Sequence, residues 1–200
     1  MLRGFTGTVW ALDQSADSPQ LVHLRYAGTE VNNHKASNIL KSNLGPFVYK
    51  PKVTVEVEGD KAAVRLRSTS PVMFIRCSVQ DDAAPGSKAE STRTDWALLV
   101  LTAKDDRRIA STMAFTQFTG SAKRSEGQVE IAIEKFGATS WYKITPKKPL
   151  EPGEYGLVQL PRVQNQFPTR IFDFAIDPKA PNNPEAVKPK QGPPQADKKQ

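Results

Sequence analysis

The sequence predicts an all-β fold, a sandwich of mostly antiparallel strands, and three observations carry that expectation. Short apolar segments with strict two-residue alternation recur along the chain. Clusters of Gly, Pro, Asp and Ser stand between them, as turns require. No segment sustains the 3.6-residue period of an amphipathic helix. With 200 residues and a 38% hydrophobic composition, the chain is long enough to bury a substantial core.

The elements follow in order. Residues 5–12 and 20–26 flank a polar turn at 13–19 and read as an opening hairpin, with Leu21, His23 and Arg25 alternating against Val22, Leu24 and Tyr26. Residues 32–46 form a long polar stretch whose strong apolar side chains are Ile39, Leu40 and Leu44. A short helix fits inside it, and connections of this length are uncommon and often functional. Val53, Val55 and Val57 then alternate with Thr54, Glu56 and Glu58. Gly59-Asp60 turns the chain into Ala62, Val64 and Leu66, which predicts a second hairpin.

Residues 72–79 read as a strand after Pro71. Residues 96–101 are apolar on both faces and so predict a central strand, with Trp96 in the core beside Leu98. Trp10, in the first strand, is expected in the core for the same reason. Lys104-Asp105-Asp106 is a polar turn into residues 107–118, and Asp105-Asp106 before Arg107-Arg108 predicts a charged hairpin tip. Val129, Ile131 and Ile133 alternate with Glu130, Ala132 and Glu134, and residues 141–144 follow after Gly137.

Residues 149–155 are the most informative segment. Pro152-Gly153 fits the centre of a type II turn, where Pro presets φ and Gly accepts a positive one. Tyr155 then opens a strand running to Leu160, and residues 170–176 close the fold. Leu150-x-Pro152-Gly153-x-Tyr155 resembles the tyrosine corner of immunoglobulin-like sandwiches, in which the phenol hydroxyl bonds a nearby backbone group. The run PLEPGEYGLV, followed by IFDFAID, is similar to the C-terminal end of uncharacterised bacterial cell-envelope β-sandwich proteins. The resemblance is confined to this stretch and carries no catalytic residues. It implies an immunoglobulin-like fold, an envelope location and no enzymatic activity, with Pro152, Gly153 and Tyr155 in structural roles. A cysteine pair bridging two sheets is absent, which separates the chain from antibody-type domains.

These elements place one domain over residues 1–177. Residues 178–200 hold six prolines and almost no large apolar side chains. Such a segment cannot bury enough surface to offset its ordering entropy, so a disordered tail rich in Pro and Lys is expected.

The chain carries a net charge of +7. The five Lys of the tail against Glu185 and Asp197 account for part of it, so the folded part has an ordinary solvated surface and nucleic acid is not the expected partner. The single cysteine, Cys77, excludes an intramolecular disulfide and a cysteine-based metal site, and reads as a buried core thiol. No run reaches the roughly 20 apolar residues of a membrane helix. Gly4, Thr6, Gly7 and Thr8 interrupt the first apolar residues, so no leader is read there. The protein is either cytoplasmic or presented in processed form, and because a chain beginning directly in a strand is what leader removal leaves, an extracytoplasmic or envelope location is the expectation.

Chemistry has few footholds. His23 and His34 are the only histidines, and neither sits in a nucleophile or metal motif. The pairs Asp81-Asp82 and Asp105-Asp106 read as solvated loop carboxylates rather than cation ligands. The expectation is a non-catalytic binding or structural module without cofactor or metal, contacting another protein of the envelope. Candidate binding residues are His34 and Lys35 in the long polar stretch, Tyr49 and Lys50 in a basic aromatic run, and Trp141 and Tyr142. Adjacent aromatics in a strand face opposite sides, so one of the last two is available for stacking on a sugar, and a carbohydrate-binding module is the alternative. Binding of nucleic acid or another anion through the basic surface is the third.

Overall fold

Alternation decides which side of a strand is buried, and it is clearest in four of five strands that pair with one another. In the computed structural model, which describes residues 8–14, 19–32, 52–76, 96–115, 122–124, 127–159 and 170–187, those five form one antiparallel sheet. Its order is β12 (Ile131–Lys135), β13 (Trp141–Pro146), β7 (Val72–Arg76), β1 (Val9–Asp13) and β2 (Gln20–Leu24). Val9 and Ala11, Val22 and Leu24, Met73 and Ile75, and Tyr142 and Ile144 all point to one side. The opening hairpin forms as expected, with Trp10 opposite His23 and Leu12 opposite Leu21.

The remaining strands make a larger sheet. Along it run β3 (Tyr26–Ala27), β15 (Ile171–Ile176), β14 (Gly153–Gln159), β8 (Trp96–Lys104), β9 (Arg107–Phe115), β5 (Lys52–Glu58) and β4 (Thr29–Asn32). Three short strands attach to this path: β6 (Arg65–Leu66) on β15, β10 (Ala122–Arg124) on β9 and β11 (Gln128–Val129) on β8. All pairings are antiparallel except that of β6 with β15. No helix occurs among the described residues, and the fold is all-β.

Two apolar clusters result. The first lies between the sheets, where the inward residues of the five-stranded sheet meet Trp96, Leu98, Tyr155, Leu157, Phe172 and Phe174. The second lies on the other side of the same strands and gathers Val55, Val57, Ala97, Leu99, Leu101, Ala110, Val158 and Ile171. β8 supplies both clusters from alternate residues, so it is the central strand its apolar sequence predicts.

The second cluster exists because the larger sheet curls. β3 and β4 are one stretch of chain interrupted at Gly28, yet β3 pairs with β15 and β4 with β5. The two ends of the strand path are therefore covalently joined. Glu58 N–H donates to the Gly28 carbonyl at 3.2 Å, continuing the ladder across the break. A shift of register between Val55 and Glu56 on β9 adds the local twist that curling needs. At Gly156 a Cβ would stand 2.7 Å from Ile171 Cγ2, so β14 approaches its neighbour more closely than any side chain permits.

Two expectations from the sequence are corrected here. Residues 53–58 and 62–67 do not form a hairpin. Gly59, at φ 80°, does turn the chain, but β5 is already bonded by β9 on one side and β4 on the other. With no free edge to return to, the chain passes on to lie parallel to β15. Pro152-Gly153 is not a type II turn either, because Gly153 has no positive φ. Its backbone is recruited into the ladder opposite Ile176, which requires an extended conformation.

Residues 178–187, assigned to the tail on composition, run across the fold. Ala180 is buried, and Asn183 both accepts from Arg65 N–H at 3.2 Å and donates to the Arg65 carbonyl at 2.9 Å. Residues 188–200 lie outside the described residues, as do residues 33–51 and Cys77.

Candidate functional site

The outward side of the five-stranded sheet carries what the inward side cannot hold. Alternation that buries Val9 and Ala11 turns Trp10 out, and in the same way His23 stands between Val22 and Leu24 and Phe74 between Met73 and Ile75. Register then lines them up: Trp10 is opposite His23 on one side and Phe74 on the other. Trp141, opposite Arg76, turns outward because Tyr142 turns in. Phe136 closes the series just beyond β12, where its N–H donates to the Trp141 carbonyl at 2.8 Å. Four of the five strands thus place an aromatic ring on this face and Phe136, just after β12, adds a fifth; the rings cross the sheet over roughly 19 Å at the usual strand spacing, with Trp141 and Phe136 two residues off the row of His23, Trp10 and Phe74.

The rings touch. Trp10 and His23 are 5.0 Å apart between centroids and tilted by 46°, and Phe136 meets Phe74 edge-on at 5.3 Å and 76°. Phe136 is 53% exposed, whereas Trp10, Phe74 and Trp141 are half-buried. The indole N–H of Trp10 is buried without a hydrogen-bond partner. Lys143, opposite Phe74 and Glu134, and Arg76, whose Nε donates to Ser140 Oγ at 3.4 Å, add positive charge beside the rings. Burial holds the His23 imidazole below its usual pKa, Arg25 pushes the same way, and Glu185 opposes both. His23 is therefore neutral at physiological pH and packs as an aromatic ring.

Of the residues singled out in the sequence, Trp141 belongs to this stripe. Tyr142 is 4% exposed and sits in the core between the sheets. Trp10, expected in the core, faces outward, because the buried parity of its strand belongs to Val9, Ala11 and Asp13. His34, Lys35, Tyr49 and Lys50 lie outside the described residues. Alternation alone contained the signal for the stripe: an aromatic residue stands on the parity opposite to the aliphatic ones in several separate strands.

Pro152 precedes β14 and Gly153 begins it. Tyr155 O–H donates to the Glu151 carbonyl at 2.8 Å, the bond expected of a tyrosine corner. Its ring stacks on Phe174 at 5.8 Å, and burial and the Glu151 charge raise its pKa.

A second polar constellation escaped the sequence altogether. Arg108, expected at a solvated hairpin tip, is 1% exposed. The tip itself forms, with Asp105 in the left-handed region at φ 54°, but Arg108 shares its parity with Ala110 and turns inward. Its Nη1 meets Asp173 at 2.8 Å and Glu154 at 3.1 Å, while Nε and Nη2 donate to the carbonyls of Gly59 and Glu58. Glu154 also accepts from Ala62 N–H at 2.8 Å and pairs with Arg65, which in turn reaches Asp177. The cluster seals the end of the curled sheet and fixes the β5–β6 connection. Every guanidinium nitrogen of Arg108 has a partner, so the cluster reads as architecture.

Comparisons with protein-family models, with curated proteins and with solved structures found no match. Among the described residues no helix is long and apolar enough to cross a membrane.

Proposed function

We propose that the protein is a non-catalytic binding module with an immunoglobulin-like arrangement of its two sheets, and that it meets another protein of the cell envelope through the outward face of the five-stranded sheet. The observation that carries this reading is the stripe of Trp10, His23, Phe74, Phe136 and Trp141, gathered on one face. Aromatic rings on an otherwise regular surface are the side chains most enriched at protein interfaces, where they contribute large apolar area at little entropic cost. The tyrosine-corner bond of Tyr155 supports the immunoglobulin-like part. The envelope location rests on the resemblance of residues 149–177.

The test is affinity purification of the tagged chain from native cell fractions with mass spectrometry of what it retains. A reproducible envelope partner, lost in a Phe136→Ser/Trp141→Ser variant of unchanged stability, is the expected result. Retention of the same partner by that variant would refute the proposed surface.

Stacking on carbohydrate is the second reading, favoured by the pairing of exposed Phe136 with Trp141 at one end of the sheet. The tilted and edge-on ring geometry argues for a protein partner instead, since sugars stack on open, coplanar faces. A glycan array in which the native chain binds and Phe136→Ser does not would reverse the order of the two.

A further inference from the structure

The five-stranded sheet ends at β2, and its outer side is an edge. Opposite β1, Leu21 and His23 sit at the positions whose backbone groups point away from that neighbour. Leu21 uses both of its groups on Val187: Val187 N–H donates to the Leu21 carbonyl at 2.8 Å, and Leu21 N–H to the Val187 carbonyl at 3.4 Å. This is an isolated antiparallel bridge. Two residues along, His23 presents the same pair of groups, and among the described residues no backbone bond reaches it.

The segment that reaches β2 is held unevenly. Asn183 is fixed by its two bonds to Arg65 and by its N–H to Gln20 Oε1 at 3.1 Å. Beyond it Pro184 turns the chain, with Ala186 N–H on the Asn183 carbonyl at 3.1 Å. This turn takes Glu185 out of line with His23, so the pairing does not extend beyond Val187. The segment is otherwise held by the Val187 bridge, by Ala186 packed against the core, and by an exposed ion pair of Glu185 with Arg25 at 3.0 Å, a contact that contributes little in water. Val187 itself is 51% exposed.

Glu185 and Val187 are spaced as alternate positions of a strand, and they meet Arg25 and Leu21 respectively. We infer that the edge of β2 accepts an extended peptide of a partner protein, one with an acidic residue two positions before an aliphatic one, and that residues 183–187 occupy this edge in cis until the peptide displaces Val187. Strand addition of this kind draws affinity from backbone bonds and selectivity from alternate side chains. The acidic residue answers Arg25 and the aliphatic one answers Leu21. A free peptide that stays extended through its acidic residue also reaches the backbone groups of His23 that the cis segment leaves open. The site is the backbone edge of β2 and the stripe is the face beside it, sharing His23, whose ring belongs to the face and whose backbone groups belong to the edge.

The experiment uses the full chain and a short fluorescent synthetic peptide carrying Glu two positions before Val, with a matched peptide carrying Lys in place of that Glu. Val187→Pro removes the N–H donated to Leu21 while leaving Asn183 anchored. Fluorescence anisotropy is expected to show the Glu peptide binding this variant about tenfold more tightly than the unaltered chain, because the cis competitor is weakened. The Lys peptide is expected to bind both chains more weakly than the Glu peptide, because it sets like charges against each other at Arg25. Equal affinity of the two chains for the Glu peptide, no binding to either, or equal binding of the two peptides would overturn the inference. Should Val187→Pro fail to fold, Glu185→Lys sets like charges against each other at Arg25, and the same gain and the same reversals apply.

Discussion

The two apolar clusters are built on opposite sides of the same strands, and they are completed in different ways. The cluster between the sheets is large and is filled by aromatic and aliphatic side chains, from Trp96 and Leu98 to Phe174 and Ile144, and on the same side of β1 the buried Asp13 carboxylate accepts from Arg67 N–H at 2.9 Å and Ser68 N–H at 2.8 Å. The cluster inside the curled sheet is made of smaller residues, with Ala97, Ala110 and Val158 among them, and one end is closed by Arg108 between Glu154 and Asp173. Two facing sheets can be matched by choosing side-chain volumes. A sheet wound back on itself leaves carbonyls at its rim, such as those of Glu58 and Gly59, and a guanidinium with five donors satisfies them where an apolar side chain cannot. The difference teaches that beside one cluster a buried anion, Asp13, takes up backbone N–H groups, whereas beside the other a buried cation, Arg108, takes up backbone carbonyls.

The largest expected effect lies in the second cluster. Arg108→Ala leaves two carboxylates and two carbonyls without their cation, and a loss of about 3–5 kcal/mol in urea unfolding is expected. A smaller loss would mean that water replaces the guanidinium and that the rim is open. In the first cluster Leu98→Ala is expected to cost about 3 kcal/mol, through lost burial and the cavity left behind. If that substitution proved the costlier of the two, apolar packing would outweigh the buried cation. Gly156→Ala places its methyl against Ile171, which belongs to the second cluster, and about 1–3 kcal/mol is expected from the forced shift. Combining it with Ile171→Leu, which has a single γ carbon and so lacks the clashing Cγ2, should recover part of that loss, measured as a rise in the denaturation midpoint.

The smallest effect is on the face of neither cluster. His23 has its pKa lowered in the fold by burial and by Arg25. Below its ordinary value of 6.5 the unfolded chain therefore binds more protons at this site than the folded one. The contribution is complete above that pH and is lost as pH falls toward the folded value. Unfolding midpoints followed from neutral to mildly acidic pH should fall less steeply for His23→Gln than for the native chain. Parallel slopes would show that the ring is solvated and outside the aromatic stripe.

Much of this architecture is written in the residue pattern, and the limits of that pattern have physical causes. Alternation reports two faces, so it predicted β1, β2, β7 and β13, and the doubly apolar run at Trp96 predicted a central strand. It does not report partners. The alternating residues on either side of Gly59 satisfy a hairpin pattern equally well whether they pair with each other or with β9 and β15. It does not say which face is inward either, and Trp10 was expected inside because a large aromatic ring has most to gain from burial. Arg108 was invisible because a charged residue beside a turn is normally solvated, and only its parity with Ala110 distinguishes it from Arg107. Composition, finally, cannot see Asn183. Residues 178–187 have few apolar side chains, but a reciprocal pair of side-chain to backbone bonds on Arg65 holds them together with the burial of Ala180 and the packing of Ala186 on the core. For the candidate site, it was legible that Trp141 and Tyr142 face opposite sides, but not which of them faces outward, and the gathering of the rings on one face required the register.

Because the stretch through Gly28 supplies both ends of the curled sheet, the order in which the chain is synthesised matters. Tyr26 and Ala27 find their partners at Phe172 and Ile171, far along the chain. On the ribosome the early strands emerge with that edge bare, and closure waits until β15 has been made. Long-range pairing of this kind is slow and leaves unpaired strand edges open to association in the meantime. The joint that makes the finished sheet continuous is also what makes the nascent chain dependent on whatever shields it until its last strand arrives.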